Sequence, residues 1–212
     1  MAITRELYAK SLESEHGTWA VWGDASGTAP VTGENLHFPS EDPGMLDVLH
    51  AEVVVVALNR GSKRAAGGPP NFHTSVKSND HILGEAFRGT AVWGAYMTDL
   101  VKDVFDPDAS QAVPAASDFD ALLAEVHALG ATSPTLLVLG KQAHDFVQQL
   151  ALERGYPGKV VLLPHYSGAN NGNISRYYNE RFGPGTASEV THGERYRKVV
   201  QGILDGHVTA PQ

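Results

Sequence analysis

The chain has 212 residues, no cysteine and a formal net charge of −8 at pH 7. This length suits one domain with a substantial core, so we expect a single domain over residues 1–212. The absence of cysteine excludes disulfides, thiolate metal sites and cysteine nucleophiles. The negative charge argues against broad binding of nucleic acid through phosphate contacts, although a local basic patch is compatible with it.

The composition also bears on membranes, metals and assembly. No apolar run approaches the roughly 20 residues that cross a bilayer, and the first residues lack the charged-then-apolar pattern of a signal peptide. We therefore expect a cytoplasmic protein with no membrane partner, and we expect it to be a monomer. The ten histidines include no closely spaced ligand set, so the sequence predicts no metal and no cofactor.

The first half of the chain is organised around a run of β-branched residues. Residues 53–58 are apolar without the alternation of a half-exposed strand, which predicts a strand buried on both faces of a parallel sheet. The other elements predicted in this half are a helix over 3–13, a strand over 18–22, helical spacing over 43–50, a polar tract over 62–71, a helix from 79 or 80 to 87, and a strand over 91–97.

The second half continues the alternation of strands and helices. Its predicted elements are a linker over 107–116, a helix over 117–129, a strand over 135–139, a helix over 142–154, a strand over 160–163, a loop over 168–173, and helices over 175–182 and 194–204. Strands that alternate with helices predict right-handed crossovers. We therefore expect an α/β protein, a three-layer α/β/α sandwich with a central four-stranded parallel sheet.

Polar residues follow the ends of the four predicted inner strands. They are Asn59, Asp99, Lys141 and His165. In an open parallel sheet, ligands bind beyond the carboxyl ends of the strands, so these side chains are candidates for one shared site. Each also has a structural explanation. An asparagine at a strand end is typical of a left-handed turn or a helix cap, and a single loop histidine most often makes a structural hydrogen bond.

Four short motifs, taken in order, resemble those of the uracil-DNA glycosylase superfamily. Residues 57–61, Ala-Leu-Asn-Arg-Gly, are similar to the Gly-x-Asn-Pro-Gly motif of its mismatch-specific branch. Residues 165–167, His-Tyr-Ser, are similar to the His-Pro-Ser motif of the family. Residues 96–102 and 139–143 are similar to the Tyr-x-Thr-Asn-x-x-Lys and Leu-Gly-x-x-Ala motifs of the thermostable branch.

The chain departs from the family pattern in loop geometry and in base reading. Arg60 and Tyr166 replace prolines, and Ala57 replaces a glycine. Asp99 stands in the place of the asparagine that reads uracil. The chain also lacks the cysteines that hold the iron–sulfur cluster of the thermostable branch.

The resemblance implies a uracil-DNA glycosylase-like fold in which the four inner strands lie in the order second, first, third, fourth. It implies a monofunctional DNA glycosylase that hydrolyses the N-glycosidic bond of a deaminated or mismatched base, with uracil as the first candidate, in base-excision repair. The partner would be DNA that contains the damaged or mismatched base, and the reaction would need no cofactor.

The resemblance also assigns roles to single residues. Asn59 would orient the attacking water, and His165 would donate a hydrogen bond to the departing base anion, so these two are the predicted catalytic residues. Phe72 would stack on the flipped base, with Leu58 and Asp99 as further base-binding residues. Without the resemblance, Phe72 is explained as an ordinary core residue under a long loop.

A DNA-binding surface is expected around the same rim. In the family the loop after the histidine motif inserts into the duplex, so we expect the loop from Gly168 to Ile174 to approach DNA. The predicted DNA-binding residues are Lys63, Arg64, Ser167, Asn170, Ile174 and Arg176.

Three possibilities stay open for Asp99. An ionised carboxylate offers only acceptors, whereas asparagine offers uracil a donor and an acceptor. Asp99 is protonated in a dry pocket and mimics asparagine, or it selects a base with more N–H groups, or it lies outside the pocket. We favour the last, because Thr98-Asp99-Leu100 is also typical of a helix cap.

Two other classes of function fit the sequence. One is a non-catalytic module that keeps the pocket and binds a nucleotide or damaged DNA without turnover. The other is a hydrolase of free nucleosides or nucleotides, which suits the acidic net charge better.

Overall fold

The computed structural model describes residues 3–13, 16–63, 68, 70–74 and 76–208. Within these ranges the strands are β1 (Thr18–Trp19), β2 (His50–Asn59), β3 (Ala95–Val101), β4 (Thr135–Leu139) and β5 (Val160–Leu163). The α-helices are α1 (Arg5–Ser11), α2 (Met45–Val48), α3 (Asp80–Phe87), α4 (Ala116–Ala128), α5 (Lys141–Glu153), α6 (Asn171–Phe182) and α7 (His192–His207). In the part of the chain so described, no helix is both long and apolar enough to span a bilayer.

The strands form one five-stranded sheet in the order β1-β3-β2-β4-β5. The α/β class is confirmed, and β3, β2, β4 and β5 run parallel in the order expected for the inner strands. The prediction of a purely parallel, four-stranded sheet is wrong, because β1 adds an antiparallel edge strand beside β3. A short apolar run predicts a strand, but it does not show which neighbour that strand pairs with.

Helices cover both faces of β2, which explains its unbroken apolar run. Val53 and Val55 pack into a layer built with α3, α6 and α7. Val54 and Val56 pack into the opposite layer, built with α4 and α5. Because adjacent side chains of a strand point to opposite faces, a strand that is buried on both sides is apolar at every position. The described residues thus form three layers, with the sheet in the middle.

The strand predicted over 91–97 is displaced along the chain. β3 covers Ala95–Val101, and every one of its residues is buried. Residues 91–94 form a turn, in which Gly94 has a φ of +86°. Thr98 and Asp99 are polar, which predicts the end of a strand, but they lie inside β3 because both have hydrogen-bond partners. The Thr98 hydroxyl donates to Glu125 over 3.2 Å, and Asp99 accepts from Asn71 over 2.8 Å.

Gly94→Ala is expected to destabilise the fold more than Gly89→Ala. A Cβ at Gly94 would lie 1.9 Å from the backbone oxygen of Val48, which cannot rotate away. Gly89 has a comparable φ of +71°, but nothing lies within 4 Å of the position of a Cβ there. We expect the free energy of unfolding, measured by urea denaturation, to fall by about 3 kcal/mol for G94A and about 1 kcal/mol for G89A. Equal losses would show that the left-handed backbone alone requires glycine at position 94.

Candidate active site

A cavity of about 720 Å³ opens at the carboxyl edge of the sheet, where β2, β4 and β5 end. Small-molecule sites typically have volumes of about 300–1,000 Å³. Most of the predicted site residues line this cavity, namely Leu58, Asn59, Phe72, His165, Ser167, Asn170 and Arg176. Residues from three distant stretches of the chain therefore share one concave site.

Asn59 is the last residue of β2, and backbone carbonyls fix its side chain. Its Nδ2 donates to the carbonyl oxygens of Arg60 and Val104, each over 3.3 Å, and to that of Asp106 over 2.9 Å. Carbonyl oxygens only accept hydrogen bonds, so the amide nitrogen must face them and the orientation of the amide is determined. Oδ1 is then the atom that Asn59 can offer to a water molecule, as an acceptor.

His165 follows β5 and has a fixed tautomer. The backbone N–H of Ser167 donates to His165 Nδ1 over 3.1 Å. Nδ1 therefore carries a lone pair, and the neutral ring has its proton on Nε2. Burial lowers the pKa of His165 below its ordinary value, and the nearby Asp80 carboxylate opposes that shift. The ring is thus neutral at pH 7 and has an Nε2–H donor available.

Tyr166, which stands where the family motif has proline, fixes the plane of His165. The two rings are stacked, with centroids 4.8 Å apart and planes 8° apart. The Tyr166 hydroxyl is buried and donates to Asp80 Oδ1 over 3.1 Å. Asp80 Oδ2 in turn accepts from the backbone N–H and the hydroxyl of Thr74. A hydrogen-bonded aromatic ring therefore supplies the rigidity that a proline would give this loop.

Phe72 lies in the cavity wall on a constrained backbone. It has a φ of +63°, and its carbonyl oxygen accepts a hydrogen bond of 2.9 Å from Trp22 Nε1. A non-glycine residue in this conformation costs about 1 kcal/mol or more, and such residues concentrate at functional sites. Phe72 is, however, only 2% exposed and belongs to the core layer built with α3, α6 and α7, so its stacking on a base stays a prediction.

Two of the predicted contact residues lie elsewhere. Asp99 is fully buried in the interior of β3, so its interpretation as a helix cap is wrong, and it does not belong to the cavity lining. Ile174 is also fully buried, among the core residues packed under α6. This helix begins at Asn171, earlier than predicted, and Ile174 lies on its inner face. The prediction that Ile174 contacts DNA is therefore wrong.

Two of the cationic residues predicted to contact DNA, Lys63 and Arg176, are exposed near the rim. Arg176 lines the cavity mouth, and its side chain is 61% exposed. Its Nε lies 3.8 Å from Glu180 Oε1. Lys63 is exposed, and its Nζ lies 6.0 Å from the centre of the Phe105 ring. Arg64 lies outside the described residues, so its contact with DNA stays a prediction, like that of Lys63.

Ser167 and Asn170 hold the loop that carries His165. The Ser167 backbone sets the tautomer of the histidine, and Asn170 Nδ2 donates to the His165 carbonyl oxygen over 2.8 Å. Asn170 Oδ1 accepts from Asn173 Nδ2, also over 2.8 Å. Both residues line the cavity, and their contact with DNA stays a prediction.

The sequence does not single out two residues of the cavity wall. Asn71 ends the polar tract after β2, and Asp80 is recognisable only as a possible helix start; both line the cavity. The one local signal that Asn71 belongs to the site is its position next to Phe72, the predicted stacking residue. The link between Asp80 and Tyr166 has no signal in the local sequence, because it joins residues that are 86 positions apart.

Comparisons with protein-family models, with curated proteins and with solved structures found no significant match to this chain. Among the described residues, no group of three or more histidine, aspartate or glutamate side chains is placed to hold a metal ion. The cavity offers an oriented acceptor at Asn59 and a neutral donor at His165.

Proposed function

We propose that this protein is a monofunctional DNA glycosylase that hydrolyses the N-glycosidic bond of a deaminated or mismatched base, above all uracil. The observation that carries the proposal is that the Asn59 acceptor and the neutral His165 donor line one cavity. The four motifs that resemble those of uracil-DNA glycosylases support the same reaction. Such an enzyme acts in base-excision repair.

Breaking this bond separates charge. Positive charge develops on the sugar and negative charge on the departing base, so the enzyme must stabilise an anion and direct water to C1′. His165 donates Nε2–H to the anion, and one positioned donor of this kind typically contributes about 10²–10³ in rate. Asn59 Oδ1 accepts a hydrogen bond from the attacking water. An amide is too weak a base to remove a proton, so Asn59 acts by orienting the water.

The base must leave the duplex before these groups can reach it. Stacking on an aromatic ring such as Phe72 stabilises an extruded base by about 1–3 kcal/mol. Lys63, Arg64 and Arg176 would contact the phosphates on either side. Water adds its hydroxyl to C1′ and its proton to the base, so the products are an abasic sugar and a free base.

The direct test uses oligonucleotides that contain one uracil, one hypoxanthine or one mismatch. After incubation with the protein, alkali cleaves the chain wherever a base has been removed. We expect cleavage at uracil, in single-stranded or double-stranded DNA. If no substrate of either form is cleaved, the protein is not a glycosylase acting on DNA.

A hydrolase of free nucleosides or nucleotides is the second candidate. The net charge of −8 favours it, and two cations of the cavity lining, Arg176 and Lys141, lie close to the carboxylates of Glu180 and Asp145. These carboxylates weaken the attraction of the rim for a polyanion.

A salt titration of DNA binding separates the candidates. A glycosylase that contacts several phosphates loses affinity for DNA steeply as salt rises, whereas an enzyme of free nucleotides barely binds DNA. Release of base from free nucleosides, with weak DNA binding, would favour the second candidate. Tight DNA binding without release of base from any substrate would indicate a non-catalytic module.

A further inference from the structure

Asn71 connects the cavity to a buried carboxylate. Its half-buried side chain lines the cavity. Its Nδ2 lies 3.1 Å from Asp99 Oδ1 and 2.8 Å from Asp99 Oδ2. Asp99 itself is fully buried within β3 and does not belong to the cavity lining. Asn71 is therefore the residue that connects Asp99 with the cavity.

The surroundings of Asp99 hold its carboxylate in place. His16 Nδ1 lies 3.3 Å from Asp99 Oδ2, and the His16 ring is stacked on that of Phe105 with centroids 5.7 Å apart. Burial raises the pKa of Asp99, and the contacts with His16 and Asn71 and the charge of Lys102 oppose that rise. A buried carboxylate that is bonded from two sides has little freedom to turn.

The carboxylate determines which end of the Asn71 amide faces it. The Asn71 nitrogen lies within hydrogen-bonding distance of both Asp99 oxygens, and an ionised carboxylate, whose oxygens only accept, keeps it there. A flipped amide would place Oδ1 against the oxygens of Asp99 and leave buried acceptors without donors. The two Asp99 oxygens lie on the same side of Asn71 Nδ2, so they share one of its two N–H groups. The other N–H and the carbonyl oxygen of the amide are then available to a ligand in the cavity.

We propose that Asn71 reads the edge of the bound base and that Asp99 locks the orientation of its amide, an inference that rests on the proposed glycosylase function. Uracil and hypoxanthine each have a ring N–H beside a carbonyl, that is, a lactam edge. The N–H meets Asn71 Oδ1, and the carbonyl meets the amide N–H. Cytosine and adenine present the reverse pattern, a ring acceptor beside an amino group, and they require the flipped amide that Asp99 forbids. The substrate class is thus bases with a lactam edge, which deamination of cytosine and adenine produces.

The test measures the binding of free bases, which does not depend on catalysis. The full chain is titrated with uracil, 3-methyluracil, hypoxanthine and cytosine, each methylated at the ring nitrogen that carries the sugar in DNA, and affinities are measured by ligand-observed NMR. With that nitrogen blocked, we expect uracil and hypoxanthine to bind about tenfold more tightly than 3-methyluracil and cytosine, because the last two then have no ring N–H for Asn71 Oδ1 to accept.

Two substitutions distinguish the contact of Asn71 with the base from the effect of Asp99 on the orientation of the Asn71 amide. Asn71→Ala should abolish the preference for uracil over 3-methyluracil. Asp99→Asn should bring the affinities for uracil and cytosine to within about threefold, because a neutral amide accepts either orientation of Asn71. Gln149→Ala is the matched control, since Gln149 also carries an amide but is exposed on α5, bonds to Glu153 and lies outside the cavity lining. It should keep the wild-type preference.

Circular dichroism checks that each variant is folded, and Asn71→Ala removes only a half-buried loop side chain. The inference is overturned if wild-type protein shows no preference among the free bases, or if Asn71→Ala keeps the preference for uracil over 3-methyluracil. Base excision from oligonucleotides is measured separately. An active glycosylase without the preference refutes the reading role alone, whereas a protein with the preference but without excision refutes the glycosylase proposal.

Discussion

His165→Ala is expected to lower the rate of base excision by about 10²–10³-fold, with a much smaller change in DNA affinity. The reason is the tautomer that the Ser167 backbone imposes, which leaves Nε2–H as the donor. This donor stabilises a charge that forms only as the bond breaks, so its loss affects kcat rather than binding. Single-turnover kinetics with saturating enzyme measure this step.

Two further variants define the role of His165. Glutamine at position 165 keeps a neutral N–H donor but loses the flat ring stacked on Tyr166, so His165→Gln should be slower than wild type and faster than His165→Ala. His127→Ala is the matched control, because His127 is exposed in the last turn of α4, away from the cavity. It should have the wild-type rate. If His165→Ala matched His127→Ala in rate, His165 would have no part in the chemistry.

The pH dependence follows from the same hydrogen bond. Burial lowers the pKa of His165 from its ordinary value, so the neutral form predominates throughout the pH range above about 6.5. Protonation at lower pH places a proton on Nδ1 and breaks the bond from Ser167 N–H. We expect the rate to be constant from about pH 8 to pH 6.5 and to fall below that range. A rate that rises as the pH falls below this range would show that the imidazolium form is the catalyst.

The strands show how much of the fold a hydrophobic pattern determines. β4 and β5 have the predicted bounds, because each is a short apolar run between turn residues. β3 does not, because residues 91–93 are as apolar as the strand itself, while Thr98 and Asp99 within it are polar. Their burial depends on Glu125 and His16, which are 27 and 83 positions away in the sequence. Local pattern carries no information about such partners.

The sequence likewise predicts some residues of the candidate site and misses others. Asn59 and His165 are predictable as cavity residues because parallel strands end at a common edge of the sheet. The pairing of Asn71 with Asp99 is not predictable from local sequence, because only the packed structure brings them within hydrogen-bonding distance. The prediction that Ile174 contacts DNA is wrong for a local reason. The Gly- and Asn-rich stretch before it predicts a loop, yet from Asn171 onward these residues form the first turn of α6.

Asn59 combines two roles that a pair of substitutions separates. Its Nδ2 holds the backbone of Val104 and Asp106 next to the end of β2, and its Oδ1 is the proposed acceptor for water. Alanine removes both groups. Aspartate keeps an acceptor for water but places a second oxygen against carbonyl oxygens, so that acceptors face one another without a proton between them.

We expect the less stable of these two variants to be the faster enzyme. Asn59→Asp should lose more free energy of unfolding than Asn59→Ala, about 2–3 kcal/mol against about 1 kcal/mol, because half-buried acceptor oxygens then face one another. Asn59→Ala should be slower, by about 10²-fold relative to wild type, because water is no longer oriented. Unfolding does not account for this loss, since a domain with about 5–15 kcal/mol of stability stays almost entirely folded in both variants. Urea denaturation measures the free energy of unfolding, and single-turnover kinetics measure the rate of base excision. If the more stable variant is also the faster one, Asn59 serves only to hold the loop, and the water must be oriented by another group.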